Sequence, residues 1–375
     1  MELSSLFFLT DMYKKMIQHQ IFFDFLRFSI GSESEIPDSL IEADWKELYR
    51  IAQKQCLVGI LFDGIQRLPP SDVGISRDLL LQWMAQCKML EKTNVQLNDA
   101  TFQVSEWFRK KGFRTCILKG QGNALMYPNP YSRTPGDIDI WVEGGDNRVI
   151  SFVRSISPHE KACYHHIEFP SYKGVEVEVH YRPSFLLCFW HNRKLQKYYE
   201  RVKEKQFSHR VMLGEQGEVA IPTVEFNLIF QLTHIYAHLM NEGIGLRQLV
   251  DYYYVLIRDD LSLIRDRVQK KLKELGLWMF ASAIMYIMQE VFGMPASRLI
   301  VPPNEKYGRF VLNEVLEAGN FGRHDARNRF GRSQLGHNLQ RVYRDIRLVR
   351  YFPGEALCEP LFRIWHFFWR MKNKK

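Results

Sequence analysis

The segment "DIDIWV", residues 137–142, alternates acidic and apolar residues, a pattern typical of a β-strand with one buried face. Asp137 and Asp139 share one face of such a strand, roughly 6.6 Å apart along it, and Ile138 and Ile140 share the other. Two carboxylates at this spacing repel each other unless a cation or hydrogen-bond donors offset their charges. The strand therefore requires a core behind it and charge compensation in front of it.

A second segment, "VEVEVH" at residues 175–180, repeats this pattern with Glu176, Glu178 and His180 on one face and valines on the other. If the two strands are neighbours, their carboxylates converge on one patch. Mg²⁺ prefers oxygen ligands and leaves room for water and substrate phosphates. Either strand alone is equally compatible with a solvated charged face, but the two together favour a divalent-cation site.

Helical periodicity dominates the chain on both sides of these strands, for example over residues 1–30, 39–68 and 77–111, where Gly112 offers a stop. We expect an α+β fold in which a small mixed β-sheet core is flanked by helical regions. The expected division is a helical N-terminal region at 1–111, an α/β core at 112–185 and a mainly helical C-terminal region at 186–375.

Shorter sequence patterns predict further secondary-structure elements. "FRTCILKG" (113–120) predicts a strand and "QGNALMY" (121–127) a helical segment. Lys173-Gly174 predicts the turn of a hairpin, and residues 211–222 predict a second, smaller hairpin. Thr223 then offers an N-cap for a long helix.

Charge suggests the class of partner without choosing one. The 375-residue chain has a formal net charge of +9, which suits nucleotides, phosphorylated substrates, nucleic acid or a membrane surface. The C-terminal segment "FRIWHFFWRMKNKK", residues 362–375, mixes aromatic and basic residues. It is compatible with peripheral membrane contact or RNA binding, but a packed helix with a solvated lysine tail is the simpler interpretation.

The cysteines and the hydropathy pattern favour a cytoplasmic protein. The six cysteines are scattered and form no CxxC pair, so reduced thiols are expected rather than a disulfide framework or a thiolate zinc site. The N-terminal segment lacks the basic region of a signal peptide. No apolar run approaches the roughly 20 residues that span a bilayer.

The segment "ILKGQGNALMYPNPYSRTPGDIDIWV" followed by "VEVEVHYRP" resembles the predicted nucleotidyltransferases of the polymerase-β-type superfamily. The similarity is specific over about residues 115–182, in the branch with a Lys-Gly turn, an Asp-x-Asp strand and a Glu-x-His strand. It extends more weakly over residues 233–256, which are similar to that branch's His-rich helix. The resemblance implies an NTP substrate, with ATP as the expected donor.

The resemblance also implies the metal ligands. Asp137 and Asp139 would bind one or two Mg²⁺ ions, or Mn²⁺, and an acidic residue on a later strand would complete the catalytic triad. Glu178 is the expected third ligand, because it has the Glu-x-His spacing of the branch. Glu176 is the alternative, since it belongs to the same strand face.

By the same resemblance, Gly120 matches the turn that brings backbone amides against the triphosphate, where a following helix N-terminus would favour an anion. Many superfamily members have Gly-Ser here, whereas this chain has Lys119-Gly120-Gln121. Lys119, Gln121 and Arg133 are therefore expected to help bind the nucleotide. A salt bridge to Asp137 or another nearby acid is the alternative for Arg133.

Three residues are expected on the acceptor side of the site, namely His180, His238 and Arg247. For His180, the alternatives are that it orients Glu178 or is a strand histidine satisfied within the fold. His234 and His238 share a helical face, for which a core or substrate-facing role is favoured over zinc. Arg247 and Asp251 also share a face and are expected to form an ion pair supporting the cleft.

These observations predict a Mg²⁺-dependent nucleotidyltransferase that moves an NMP to an unidentified acceptor, which could be a small molecule, sugar phosphate, protein or RNA, and releases pyrophosphate. The alternative is a catalytically inactive nucleotide- or partner-binding module of the same fold. A third hypothesis is an RNA-binding protein that uses the basic C-terminal segment.

Overall fold

Helices flank a small mixed β-sheet in the computed structural model, which describes residues 2–69, 74–258, 261–325, 327 and 334–373. The sheet has four strands, and a separate two-stranded sheet lies later in the chain within the same ranges. This arrangement confirms the expected α+β class.

The helices that precede the sheet in the described ranges are α1 (Glu2–Ile30), α2 (Trp45–Gln55), α3 (Val58–Ile65) and α4 (Arg77–Lys110). The helical periodicity over 77–111 corresponds to one long helix, α4, and Gly112 follows it with a φ of +81°, a left-handed conformation that suits glycine. The helical periodicity over 39–68 is divided between α2 and α3. Cys56 adopts a left-handed conformation after α2, with a φ of +57°, and so separates α2 from α3.

The four-stranded sheet has the order β1-β2-β4-β3. Its strands are β1 (Thr115–Ile117), β2 (Ile138–Val142), β3 (His166–Tyr172) and β4 (Val175–His180). β2 runs parallel to β4, whereas the two outer pairs are antiparallel. Asp139 lies opposite Glu178 in the parallel pair, so the two acidic strands are direct neighbours.

β3 and β4 form the expected hairpin, with Lys173 and Gly174 at its turn. Both turn residues have positive φ, +51° and +81° respectively, as in the type I′ turns that match the twist of paired strands. The resulting register buries Val177 and Val179 and leaves Glu178 on the opposite face.

Two short helices accompany the sheet, α5 (Gln121–Ala124) and α6 (Gly145–Ile156). The later helices are α7 (Phe189–Ser208), α8 (Val224–Asn241), α9 (Leu246–Arg258), α10 (Arg265–Glu274), α11 (Trp278–Glu290), α12 (Glu305–Ala318), α13 (Gln334–Leu348) and α14 (Pro353–Lys372). The second hairpin is confirmed as β5 (Arg210–Met212) and β6 (Glu218–Ala220). Thr223 directly precedes α8 as expected, but its hydroxyl donates to Gln206 Oε1 instead of capping the helix.

The aromatic and basic C-terminal segment belongs to α14. Phe362 is buried, whereas Phe367 and Phe368 are exposed, so the expected packing of its aromatic residues is only partial. Lys374 and Lys375 lie outside the described residues. No helix in the described ranges combines the length and hydropathy needed to cross a bilayer.

Two hydrophobic cores orient the sheet. In the smaller core, Ile138 and Ile140 of β2 pack with Phe108 of α4. The larger core combines helices from both sides of the sheet in sequence, including Phe22 of α1 and Tyr252 of α9. Burying one large aliphatic side chain contributes about 1.5–3 kcal/mol. The apolar side of β2 is therefore held against α4, and its acidic side faces away.

Candidate active site

The acidic face of the sheet forms one wall of a cavity of about 930 Å³, and α8 and α9 form much of the opposite wall. A cavity of this size suits a small-molecule ligand or cofactor. All of the expected site residues except Gln121 line it, namely Lys119, Gly120, Arg133, Asp137, Asp139, Glu178, His180, His238 and Arg247. The folded chain therefore brings together side chains from segments more than 100 residues apart.

Three carboxylates converge on the sheet wall. Asp137 directly precedes β2, Asp139 lies within it, and Glu178 extends from the neighbouring β4. Each offers an oxygen, and these oxygens all lie within 4.8 Å of one another. Glu176 lines the same cavity but is exposed and outside this group. Of the two glutamates considered, Glu178 is therefore the one that meets both aspartates.

Asp139 is the most buried of the three carboxylates, at 1% exposure. Its Oδ1 lies 3.0 Å from Lys119 Nζ and accepts a hydrogen bond from His180 Nε2 at 2.9 Å. Its Oδ2 is buried without a hydrogen-bond partner in the described part of the chain. A buried carboxylate oxygen without a partner is costly. Together with the oxygens of Asp137 and Glu178, it fits a hard divalent cation.

The positive groups around Asp139 and Glu178 keep these two carboxylates ionised. Burial opposes the charge of Asp139, but Lys119 and His180 hold its pKa below the ordinary value. Burial likewise opposes the charge of Glu178, but the hydrogen bond from His180 and the nearby His166 lower its pKa to about 2. Burial disfavours charged His180, but its bonds to Asp139 and Glu178 raise its pKa to about 9. His180 therefore acts as a cation that orients two of the three carboxylates.

The turn after β1 brings its backbone close to the acidic strand. Gly120 has a φ of +59°, and an added Cβ there would lie 3.4 Å from the carbonyl oxygen of Asp137. The helix that follows, α5, has only four residues, so it contributes little of the dipole that was expected to attract an anion. Gln121 does not face the cavity. Its side chain is buried and donates to Asn98 of α4, which corrects its expected place in the nucleotide site.

Arg133 lines the cavity, but its guanidinium is already paired. It is 2% exposed and makes two 2.8 Å bonds to the carboxylate of Asp251 on α9. Tyr127 also donates to Asp251 Oδ1 at 2.5 Å. Burial opposes ionisation of Asp251, but Arg133 holds its pKa below the ordinary value. Of the two interpretations of Arg133, the geometry favours a salt bridge, with Asp251 as its partner, over a phosphate contact.

Arg247 does not form the expected ion pair with Asp251, because Arg133 occupies that carboxylate. Its guanidinium lies beside the loop before β2, where an added Cβ on Gly136 would be 3.1 Å from Nη2. No hydrogen bond or salt bridge joins Arg247 to a carboxylate in the described ranges. Burial, followed by the nearby charge of Arg133, lowers its pKa. The half-buried Arg247 therefore presents a cation to the cavity.

Three further histidines line the cavity, namely His165, His166 and His234. His166 pairs with His180 in the β3–β4 register, and His165 precedes it. His234 Nε2 lies 3.1 Å from Lys119 Nζ. Burial is the largest cause that lowers the pKa of all three. The next cause is His166 for His165, His180 for His166 and Lys119 for His234, and the pKa of His166 falls to about 4. The register of the predicted hairpin could have placed His165 and His166 beside His180. Nothing in the sequence indicated the contact of His234 with Lys119.

Residues 42–293 match the model of a family described as uncharacterised nucleotidyltransferase, a span that includes the whole four-stranded sheet and α8 and α9. No curated protein matches the chain. Among solved structures, it is similar to one described as an antigenic nucleotidyltransferase-like protein from Paracoccidioides brasiliensis. The two share 13% identity with a TM-score of 0.32, over 57% of this chain and 96% of that chain. Because the family model covers more than half of the chain, this protein belongs to the uncharacterised nucleotidyltransferase family.

Proposed function

We propose that this protein is a Mg²⁺-dependent nucleotidyltransferase that transfers an NMP from an NTP, with ATP as the expected donor, to an acceptor hydroxyl or phosphate and releases pyrophosphate. The acceptor class is left open between a small molecule, a sugar phosphate, a protein and RNA. The expected compartment is the cytoplasm, which the six free cysteines support.

One observation carries this proposal. Asp137, Asp139 and Glu178 meet at the wall of a large cavity, and Asp139 keeps one buried oxygen without a partner among the described residues. An acidic cluster alone is common on protein surfaces. The buried, unpartnered oxygen beside two further carboxylates is what favours a cation over a solvated acidic face.

The three carboxylates would hold one or two Mg²⁺ ions, and Mn²⁺ would suit the same oxygens. Bound Mg²⁺ supplies charge neutralisation of the triphosphate and lowers the pKa of the attacking acceptor group. His180 holds Asp139 and Glu178 in position by its bonds to both. Its other ring nitrogen, Nδ1, lies 3.3 Å from the carbonyl oxygen of Arg182, which fixes the orientation of the ring.

The phosphates would be held by Lys119, Gly120 and Arg247. Gly120 permits close approach of the backbone to the triphosphate, because it has no Cβ. Arg247 has a planar guanidinium without a carboxylate partner in the described ranges, so it can bind a phosphate in a bidentate manner. Arg133, paired with Asp251, would hold the loop before β2 against α9 instead of binding substrate.

The test is a screen with α-³²P-labelled NTPs against cell lysate, comparing the wild type with Asp139→Asn. Label transfer that requires Mg²⁺ and disappears in Asp139→Asn is expected, because asparagine keeps the shape but removes the charge. Circular dichroism would check that the variant is folded. Glu176→Gln is the matched control, since Glu176 lies outside the three-carboxylate group, and it should retain transfer. Undiminished transfer by folded Asp139→Asn would contradict the mechanism.

One observation favours the alternative of an inactive binding module. The Lys119 ammonium already lies 3.0 Å from Asp139 Oδ1 and so compensates part of the charge that Mg²⁺ would offset. Calorimetry with ATP, with and without Mg²⁺, combined with a pyrophosphate-release assay, separates the two hypotheses. Binding of ATP without release of pyrophosphate for any acceptor would support the module, and release would support the enzyme.

A further inference from the structure

A second group of metal-binding side chains lies outside the catalytic cavity, where the beginnings of α7 and α14 meet. Cys188 directly precedes α7, and His191 follows in its first turn with Cys-x-x-His spacing. Glu355 lies in the first turn of α14, and Cys358 follows three residues later on the same helical face. None of these four residues lines the catalytic cavity.

Three of the four side chains are close enough to share one ion, and the fourth, Cys358, lies next to this group. Cys188, His191 and Glu355 each offer a ligand atom, and these atoms all lie within 4.8 Å of one another. His191 Nδ1 is 4.0 Å from Glu355 Oε1, and the Cys358 thiol lies beside that of Cys188. Tetrahedral Zn²⁺, with bonds of about 2.0–2.3 Å, sets its ligand atoms roughly 3.3–3.8 Å apart. Small side-chain movements would therefore bring this group to zinc geometry.

The carboxylate of Glu355 has little charge compensation from the protein. Glu355 is 4% exposed, and its only ion-pair partner among the described residues is His191, at 4.0 Å. Oε2 accepts hydrogen bonds from the backbone amides of Leu187 at 2.5 Å and Cys188 at 3.3 Å, while Oε1 accepts only from the Cys188 amide, at 3.3 Å. The hydrogen bond from the Leu187 amide to Oε2 orients the Glu355 carboxylate, and Oε1 is available as a metal ligand.

The imidazole of His191 is held in place by a glycine. Gly276 has a φ of +68°, and an added Cβ there would lie 2.3 Å from Cε1 of His191. The ring thus packs directly on the backbone between α10 and α11. This contact holds the side chain of His191 in place, although 31% of it is exposed.

We infer that Cys188, His191, Glu355 and Cys358 form a structural zinc site that joins α14 to α7. Two sulfurs, one imidazole nitrogen and one carboxylate oxygen are donors that Zn²⁺ accepts in tetrahedral coordination. Binding would release the two thiol protons to solvent, and the two thiolates would balance the charge of Zn²⁺. This site would correct the expectation, drawn from the scattered cysteines, that no thiolate zinc site is present.

The two thiols alone would also suit a disulfide. The buried carboxylate and the ordered imidazole beside them favour a metal, because neither group is needed to form a disulfide. The proposal does not depend on nucleotidyl transfer, since these residues lie apart from the catalytic carboxylates.

The test measures the zinc content of the tag-free full-length chain by mass spectrometry after expression with zinc and dialysis against metal-free buffer. We expect one zinc ion per chain, which falls to background in Cys188→Ser and Cys358→Ser. If these variants fail to fold, His191→Ala gives the same readout with a partly exposed residue. Cys87→Ser, a half-buried cysteine outside the cluster, is the matched control and should retain zinc. Asp139→Asn should also retain it, which excludes binding at the catalytic carboxylates.

Three results would overturn the proposal. The first is a wild-type chain without zinc, and the second is zinc that persists when Cys188 and Cys358 are both replaced by serine. The third is a Cys188–Cys358 disulfide in peptide maps of the non-reduced wild type. Failure of the nucleotidyltransferase assay would leave the zinc measurement unaffected.

Discussion

At the residue scale, the cavity wall is dominated by buried charges, most of which are satisfied by partners within the protein. Asp139 is held by Lys119 and His180, and Asp251 by Arg133. Removing one member of a buried pair leaves the other charge uncompensated, which costs more than the pair contributes. The cavity can therefore keep its charged groups in place before any ligand binds.

The Arg133–Asp251 pair provides a stability test. Asp251→Asn leaves the Arg133 guanidinium buried without a counter-charge, so we expect the free energy of unfolding to fall by about 3–5 kcal/mol. Urea denaturation followed by circular dichroism measures this loss. Glu305→Gln, which breaks the exposed pair with Arg309, is the control and should leave the midpoint unchanged. An Asp251→Asn variant as stable as the wild type would show that the pair is not important for folding.

Arg247 provides a binding test that depends on the proposed function. Arg247→Gln removes the guanidinium that has no carboxylate partner in the described ranges, so a folded variant should bind ATP about 10- to 100-fold more weakly, the usual effect of losing a charged hydrogen bond. Isothermal titration calorimetry gives the affinity directly. Arg350→Gln, on a residue that does not line the cavity, serves as control. Equal ATP affinity in wild type and Arg247→Gln would exclude Arg247 from the phosphate site.

At the element scale, the N-terminal helices hold the loop that leads into β2. Asn94 of α4 donates to the carbonyl oxygens of Tyr131 and Arg133, at 3.0 and 2.9 Å. Thr134 donates to the carbonyl oxygen of Cys56, at the end of α2, at 2.7 Å. These bonds fix the loop at the edge of the cavity, so α2 and α4 support the site without contributing a carboxylate to it.

Helix α3 approaches this loop closely at Gly59. An added Cβ there would lie 2.3 Å from the carbonyl oxygen of Ser132, so α3 or the loop must move in Gly59→Ala. We expect a loss of about 1–3 kcal/mol in the free energy of unfolding, as for other overpacked sites. Gly354→Ala is the control, because a Cβ there meets nothing within 4 Å. Identical urea midpoints for the wild type and Gly59→Ala would contradict this close contact.

At the scale of the whole molecule, the larger hydrophobic core unites helices from both ends of the chain. It combines Phe22 of α1 and Trp83 of α4 with Tyr252 of α9 and Phe280 of α11. The smaller core depends on α4, which lies outside the region 112–185 that was expected to form the α/β core. The three-part division of the chain stays a prediction about its organisation, but its middle part lacks a complete core of its own.

This shared packing predicts that residues 112–185 do not fold alone. The isolated fragment would expose the apolar face of the sheet that α4 covers, so we expect no cooperative thermal transition by circular dichroism. A fragment extended to residues 74–258 restores α4 and the cavity helices α8 and α9, and should regain secondary structure. A sigmoidal melting curve for 112–185 alone would instead support an autonomous core.

Much of the candidate site could be predicted from local sequence patterns. Period-two alternation identified both acidic strands, and the Lys173-Gly174 turn identified the hairpin that orients Glu178. The partner of Arg133 did not follow, because Asp251 lies 118 residues away and only the packing of α9 brings it close. Gln121 was placed in the nucleotide site by resemblance, but its side-chain nitrogen donates to Asn98 of α4 instead.

By itself, the sequence determined which faces of β2 and β4 are apolar, because alternation is a local property of an extended chain. It thereby determined that Asp137, Asp139 and Glu178 would share a surface if the two strands were neighbours. Only the tertiary structure decided that they are neighbours, that Asp251 pairs with Arg133, and that Arg247 is left to face the cavity. Such choices depend on contacts between distant segments, whose energies no local pattern contains.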